Sequence, residues 1–102
     1  MIQLSVMYPK TDGMKFDMEY YRQTHLPMMR RLFAERVKGV SLDCAVTAAD
    51  LPAPYAVMLH VLFDSVDAMK AALDEHGPVL IADIPNYTNV QPVIQVSDHE
   101  RG

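Results

Sequence analysis

The chain has 102 residues, 50% of them hydrophobic, with 9 Lys and Arg against 13 Asp and Glu and a formal net charge of −4. So apolar a composition excludes a disordered segment, and a length near that of one domain leaves no room for a second core, so residues 1–102 are expected to form a single domain. The acidic balance, with no basic run longer than Arg30-Arg31, argues against wholesale binding to nucleic acid or to an anionic membrane.

Ile2, Leu4, Val6 and Tyr8 alternate with Gln3, Ser5 and Met7, the period of two that marks a strand, and Pro9 to Gly13 supplies turn residues. Asp17 is placed to cap a helix, with Glu19 near the positive end of the dipole and Phe16 and Tyr21 spaced as a hydrophobic staple. The apolar stripe of that helix reads Tyr21, His25, Met28 and Leu32, with Met29 and Phe33 beside it. Pro27 has no N–H for the carbonyl of Gln23, so a kink is expected at Thr24 to Leu26.

Val40 to Thr47 reads as a second strand, and Ala48 to Pro54 as a linker between two similar halves. Tyr55 to Phe63 is a strongly apolar third strand. Asp64 or Ser65 then caps a second helix with stripe Val66, Met69, Leu73 and His76, which Gly77-Pro78 is expected to stop. A short irregular piece, Val79 to Thr88, precedes a last strand at Pro92 to Ser97.

The order βαββαβ with right-handed crossovers predicts an α+β, ferredoxin-like fold: a four-stranded antiparallel sheet with two helices on one face. Strand three offers Ala56, Met58 and Leu62 on one side and Val57, Leu59, Val61 and Phe63 on the other. Both faces want burial, and with one under the helices the other is expected to pack on a second copy, giving a homodimer. No basic, apolar and small-residue leader precedes the first strand, and no apolar run approaches the roughly 18 residues of a spanning helix. The single cysteine, Cys44, has no disulfide partner, so a cytoplasmic location and no membrane are expected.

The run Val6-Met7-Tyr8-Pro9, Gly13, Phe16-Asp17, Tyr20-Tyr21-Arg22 and His25-Leu26-Pro27-Met28 resembles the N-terminal signature of EthD-family proteins, a branch of the dimeric α/β-barrel superfamily. Phe63-Asp64-Ser65, then Ala82-Asp83-Ile84-Pro85-Asn86-Tyr87-Thr88 and Gln91-Pro92-Val93-Ile94, look like the second characteristic stretch of that family in matching order. The resemblance implies a ferredoxin-like subunit whose sheet closes against a twofold mate into a barrel, with a small-molecule pocket between sheet and helices. Members are commonly labelled oxidoreductases. Similar barrels include lactone isomerases, polyketide cyclases, cofactor-free monooxygenases and haem-degrading enzymes, so the architecture selects no chemistry.

His25 sits on the inward stripe one turn after Tyr21 and beside the break at Pro27, where a free carbonyl is available to fix its tautomer; it is the candidate acid/base. The competing reading is a core histidine bonded to the broken turn. Asp83 is placed to orient His25 or to cap its own loop, and Tyr21 to donate to an oxyanion or to pack. Tyr8, Tyr55, Tyr87 and Met28 are the residues expected to line a pocket for a small apolar or aromatic ligand. His60 is expected to face away from His25 in a structural role. His76 is expected at the C-terminal turn of helix two, where it favours the negative end of the dipole.

The four histidines show no short metal-ligand spacing, and neither G-x-G-x-x-G nor a P-loop is present, so neither metal nor cofactor is expected. Two functions follow. One is a cofactor-independent enzyme, of isomerase, cyclase, dehydratase or oxidoreductase type, acting on a small apolar carbonyl or phenolic compound through His25, Asp83 and Tyr21. The other is a non-catalytic protein that binds a hydrophobic ligand or assists a degradation enzyme.

Overall fold

The computed structural model describes residues 1–46 and 50–102. Four strands, β1 (Ile2–Pro9), β2 (Gly39–Cys44), β3 (Tyr55–Phe63) and β4 (Val93–Asp98), form one sheet in the order β2-β3-β1-β4, every neighbouring pair antiparallel. Together with two helices this is the ferredoxin-like α+β arrangement that the alternation of elements demands. Val6 pairs with Leu59 on one side and Ile94 on the other, so the apolar sets of the three strands share one face.

Helix α1 begins with an α-helical turn, Met18–Tyr20, passes through a π-helical stretch, Tyr21–His25, and continues α-helical over Leu26–Phe33. The Asp17 carboxylate accepts from the Tyr20 N–H at 3.0 Å, and Phe16 packs edge-on to Tyr21 at 5.0 Å, the cap and staple expected there. The expected break at Pro27 takes the form of the π stretch: Leu26 N–H reaches back five residues to the Tyr21 carbonyl. The extra residue per turn also corrects the stripe. Beyond it the buried positions are Met29 and Phe33, while Met28 and Leu32 are only half-buried.

Helix α2 runs Val66–Asp83, its Ser65 cap accepting from Ala68 N–H at 3.1 Å, and ends in a 3₁₀ turn, Ile84–Asn86. Gly77-Pro78 therefore does not stop it. Leu73, Gly77, Leu80 and Ile84 continue an inward stripe straight through the pair, and burial of that stripe outweighs the single hydrogen bond Pro78 forfeits. His76 consequently lies mid-helix, against Phe33 and beside Glu75 at 3.5 Å, and not at a helix terminus.

The core between sheet and helices centres on Met29, Phe33, Leu59, Val61, Phe63 and Met69. A second cluster, built on Tyr8, Tyr21, Val57 and Tyr87, closes one end. Strand β2 ends at Cys44, three residues short of the expected Thr47, which with Ala48 and Ala49 lies outside the described residues. On the open face of the sheet Ala56, Met58 and Leu62 are joined by a polar strip, in which Ser5 Oγ lies 2.8 Å from His60 Nδ1 and His60 Nε2 lies 3.2 Å from Asp43. Among the described residues no helix is long and apolar enough to cross a membrane.

Candidate functional site

The π stretch of α1 sets the site. Its wide turn brings Tyr21 and His25, four residues apart, onto the buried side with their rings stacked at 5.3 Å and 12°. Tyr21 is fully buried and His25 is 6% exposed. Tyr87, placed by the 3₁₀ turn that ends α2, tilts against the same imidazole at 4.7 Å. The Tyr87 carbonyl accepts from Asp17 N–H at 2.7 Å, which ties the loop after α2 to the start of α1.

Asp83, the last residue of α2, meets His25 across the fold: Oδ2 lies 2.8 Å from Nδ1. The other oxygen, Oδ1, accepts from the Tyr20 hydroxyl at 2.7 Å and from the Asn86 side-chain amide at 3.0 Å. Burial works to raise the Asp83 pKa, but the bonds from Tyr20, Asn86 and His25 outweigh it and hold the carboxyl below its ordinary range. Asp83 is therefore ionised at neutral pH, and an ionised carboxylate only accepts. Nδ1 must then carry the proton, and in the neutral imidazole Nε2 keeps its lone pair. The tautomer is fixed by this carboxylate and not by the backbone carbonyl expected at the broken turn.

His25 forms part of the wall of a cavity of about 120 Å³ between sheet and helices, together with Tyr8, Met29, Phe33, Leu59, Leu80 and Tyr87. Asp83 is not among the walls, and Nε2 of His25 makes no hydrogen bond among the described residues. The walls are almost entirely aliphatic and aromatic. The polar atoms that His25, Tyr8 and Tyr87 bring are the exceptions, and the two hydroxyls lie 2.6 Å apart. Burial pushes the pKa of each phenol up, so both stay protonated.

The structure thus brings together His25, Asp83, Tyr21, Tyr8 and Tyr87. Tyr21 supports the imidazole face and does not line the cavity; its hydroxyl is buried without a partner. Met28 and Tyr55 lie off the cavity: Met29 takes the first position because of the π stretch, and Tyr55 lines a separate hollow with Asp43, Cys44 and Pro54. His60 lies on the opposite face of the sheet. Tyr20 and Asn86, the two further partners of Asp83, fall within the two family-like stretches of the sequence, but only the fold brings them to the carboxylate. Among the described residues no group of three or more His, Cys, Asp or Glu is placed to hold a metal ion.

Residues 14–91 match the EthD domain model. The chain is similar to the crystal structure of an EthD-like protein from Ralstonia eutropha JMP134, with a TM-score of 0.86 and 33% identity over 95% of this chain and 89% of that one. An EthD-family protein from Bacillus halodurans C-125 superimposes with a TM-score of 0.77 at 15% identity, covering 98% and 99% of the two chains. A dimeric protein of unknown function and ferredoxin-like fold from Bacteroides fragilis does so at 0.56 and 10% identity, covering 96% and 95%. No curated protein matches the sequence. With the family model spanning most of the chain and a relative one-third identical over nearly all of it, this protein belongs to the EthD family.

Proposed function

We propose that this protein is a cofactor-independent proton-transfer enzyme, of isomerase, cyclase, dehydratase or oxidoreductase type, acting on a small apolar carbonyl or phenolic compound. The carrying observation is the His25–Asp83 pair: a buried imidazole on the cavity wall whose Nδ1 is held at 2.8 Å by a carboxylate that does not line the cavity, which leaves Nε2 free to act as the base. Asp83 orients the ring and stabilises the imidazolium that forms when Nε2 takes a proton. Tyr21 stiffens the ring by stacking, so its part is to position and not to donate. The experiment is deuterium exchange into a panel of small ketones and phenols in D2O, comparing wild type with His25→Ala. Loss of exchange in a variant with unchanged circular dichroism supports the reading; unchanged exchange overturns it.

A second reading, a non-catalytic carrier of a hydrophobic ligand, is favoured by how few polar atoms the cavity walls present. It requires ligand affinity to survive His25→Ala to within a few fold. We also propose that two copies pair through the open face of the sheet, where Met58 and Leu62 want cover. The Bacteroides fragilis relative, described as dimeric, lends that pairing support at the level of fold.

A further inference from the structure

Tyr8, Tyr21 and Tyr87 pack with ring centroids 4.9 to 6.0 Å apart, and each brings a buried O–H. Among the described residues their hydroxyls make one hydrogen bond, between Tyr8 and Tyr87 at 2.6 Å. Three O–H protons and one hydrogen bond among them leave donor capacity unspent in the cluster, the Tyr21 hydroxyl being buried without a partner. Tyr8 and Tyr87 line the cavity with His25, whereas no Lys or Arg does. The charge paired to His25 is the carboxylate of Asp83. An anion entering would lose its hydration, find no Lys or Arg and face that carboxylate behind the ring. A neutral acceptor that reaches the Tyr8–Tyr87 pair gains a hydrogen bond without any charge to desolvate.

Size narrows the ligand further. A cavity of about 150 Å³ admits benzene in an engineered protein, and the one here holds about 120 Å³. It shares Ile81, Ile84, Pro92 and Ile94 with a neighbouring trough of about 530 Å³ that carries Thr88, Asn89 and Gln91.

We propose that the cavity takes a neutral carbonyl compound with a single-ring-sized apolar body, its carbonyl oxygen received by the Tyr8–Tyr87 hydroxyl pair, and discriminates against carboxylates of the same shape. This rests on the proton-transfer role of His25. Nε2 removes a proton from the carbon beside the carbonyl; the C–H electron pair becomes the C=C of an enolate, and the carbonyl π pair moves to oxygen. There a phenolic O–H meets the developing charge, while Asp83 balances the imidazolium. The imidazolium returns the proton to the oxygen or to another carbon of the same molecule. No oxidant is consumed.

Cyclopentyl methyl ketone and cyclopentanecarboxylate have nearly the same shape and differ in charge. Each is titrated into the full 15N-labelled chain and followed by NMR. The ketone is expected to shift Tyr8, His25 and Tyr87 and to bind about tenfold or more tighter than the carboxylate. Tyr87→Phe is expected to weaken the ketone by about two- to tenfold, and Tyr8→Phe provides the same test should the first variant not fold. Equal affinity for the two probes, no perturbation of these three residues by either, or wild-type ketone affinity in the Phe variants overturns the assignment. Should neither variant fold, the wild-type comparison of the two probes decides. Deuterium exchange into the bound ketone separates the two readings. Selectivity without exchange removes proton transfer and leaves the binding assignment standing; exchange without selectivity does the reverse.

Discussion

Replacing Asp83 by Asn tests the centre of the site with a change of one atom. Tyr20 and Asn86 both donate to Oδ1, so they fix the carbonyl of the new amide at that position and turn its NH2 toward His25. The amide then donates to Nδ1, which must accept, and the imidazole proton moves to Nε2, the nitrogen that is to act as base. In stability, a charge-assisted bond becomes a neutral one beside a carboxylate position only 11% exposed, a loss of about 1–2 kcal/mol at pH 7. For a domain of this size that lowers Tm by on the order of 10 °C.

The pH dependence has a definite sign. Because the folded Asp83 pKa lies below the ordinary carboxyl value, the difference between wild type and Asp83→Asn is full above about pH 4 and closes as pH falls through the lower folded value. Urea unfolding at a series of pH values measures it, and long-range 15N–1H correlation spectra of the neutral imidazole report the tautomer. Where a turnover substrate is in hand, the rate is expected to fall by on the order of 10³–10⁴. A wild-type imidazole protonated on Nε2, an unchanged tautomer in the variant, or stabilities that match at pH 7 would refute the reasoning.

Tyr20→Phe removes one of the three donors on Asp83, and the carboxyl pKa is expected to rise; a 13C titration with an unmoved midpoint would show that the Tyr20 bond does not hold the carboxylate. Phe33 is 2% exposed, packs on Phe63 at 5.8 Å and forms part of the cavity wall, so Phe33→Ala is expected to cost about 3–5 kcal/mol in urea unfolding, and a loss below about 1 kcal/mol would contradict its place in the core. Met58→Asp places a charge beside Asp43 in the apolar part of the open sheet face. If two copies pair there, sedimentation is expected to show monomers for the variant and dimers for wild type; an unchanged mass would move the interface elsewhere.

The sequence by itself determined the order of the four strands and both helix starts, because alternation and capping are local signals carried by neighbouring residues such as Ile2 to Tyr8, Asp17 and Ser65. It also marked the irregularity at Pro27, where a missing N–H is a property of the residue itself. Tertiary structure alone decided how that irregularity resolved. The π stretch moved the inward stripe from Met28 to Met29 and Phe33, because it adds a residue to the turn that a regular helical count omits. Likewise Gly77-Pro78, a local stop signal, was overridden by burial of Leu73, Leu80 and Ile84 against elements distant in the chain. The site follows the same division. Its residue types were visible, but the contact of His25 with Asp83, 58 residues away, and the meeting of Tyr8 with Tyr87 across 79 residues depend on how α2 ends and where its last turn lands. No local pattern encodes that placement.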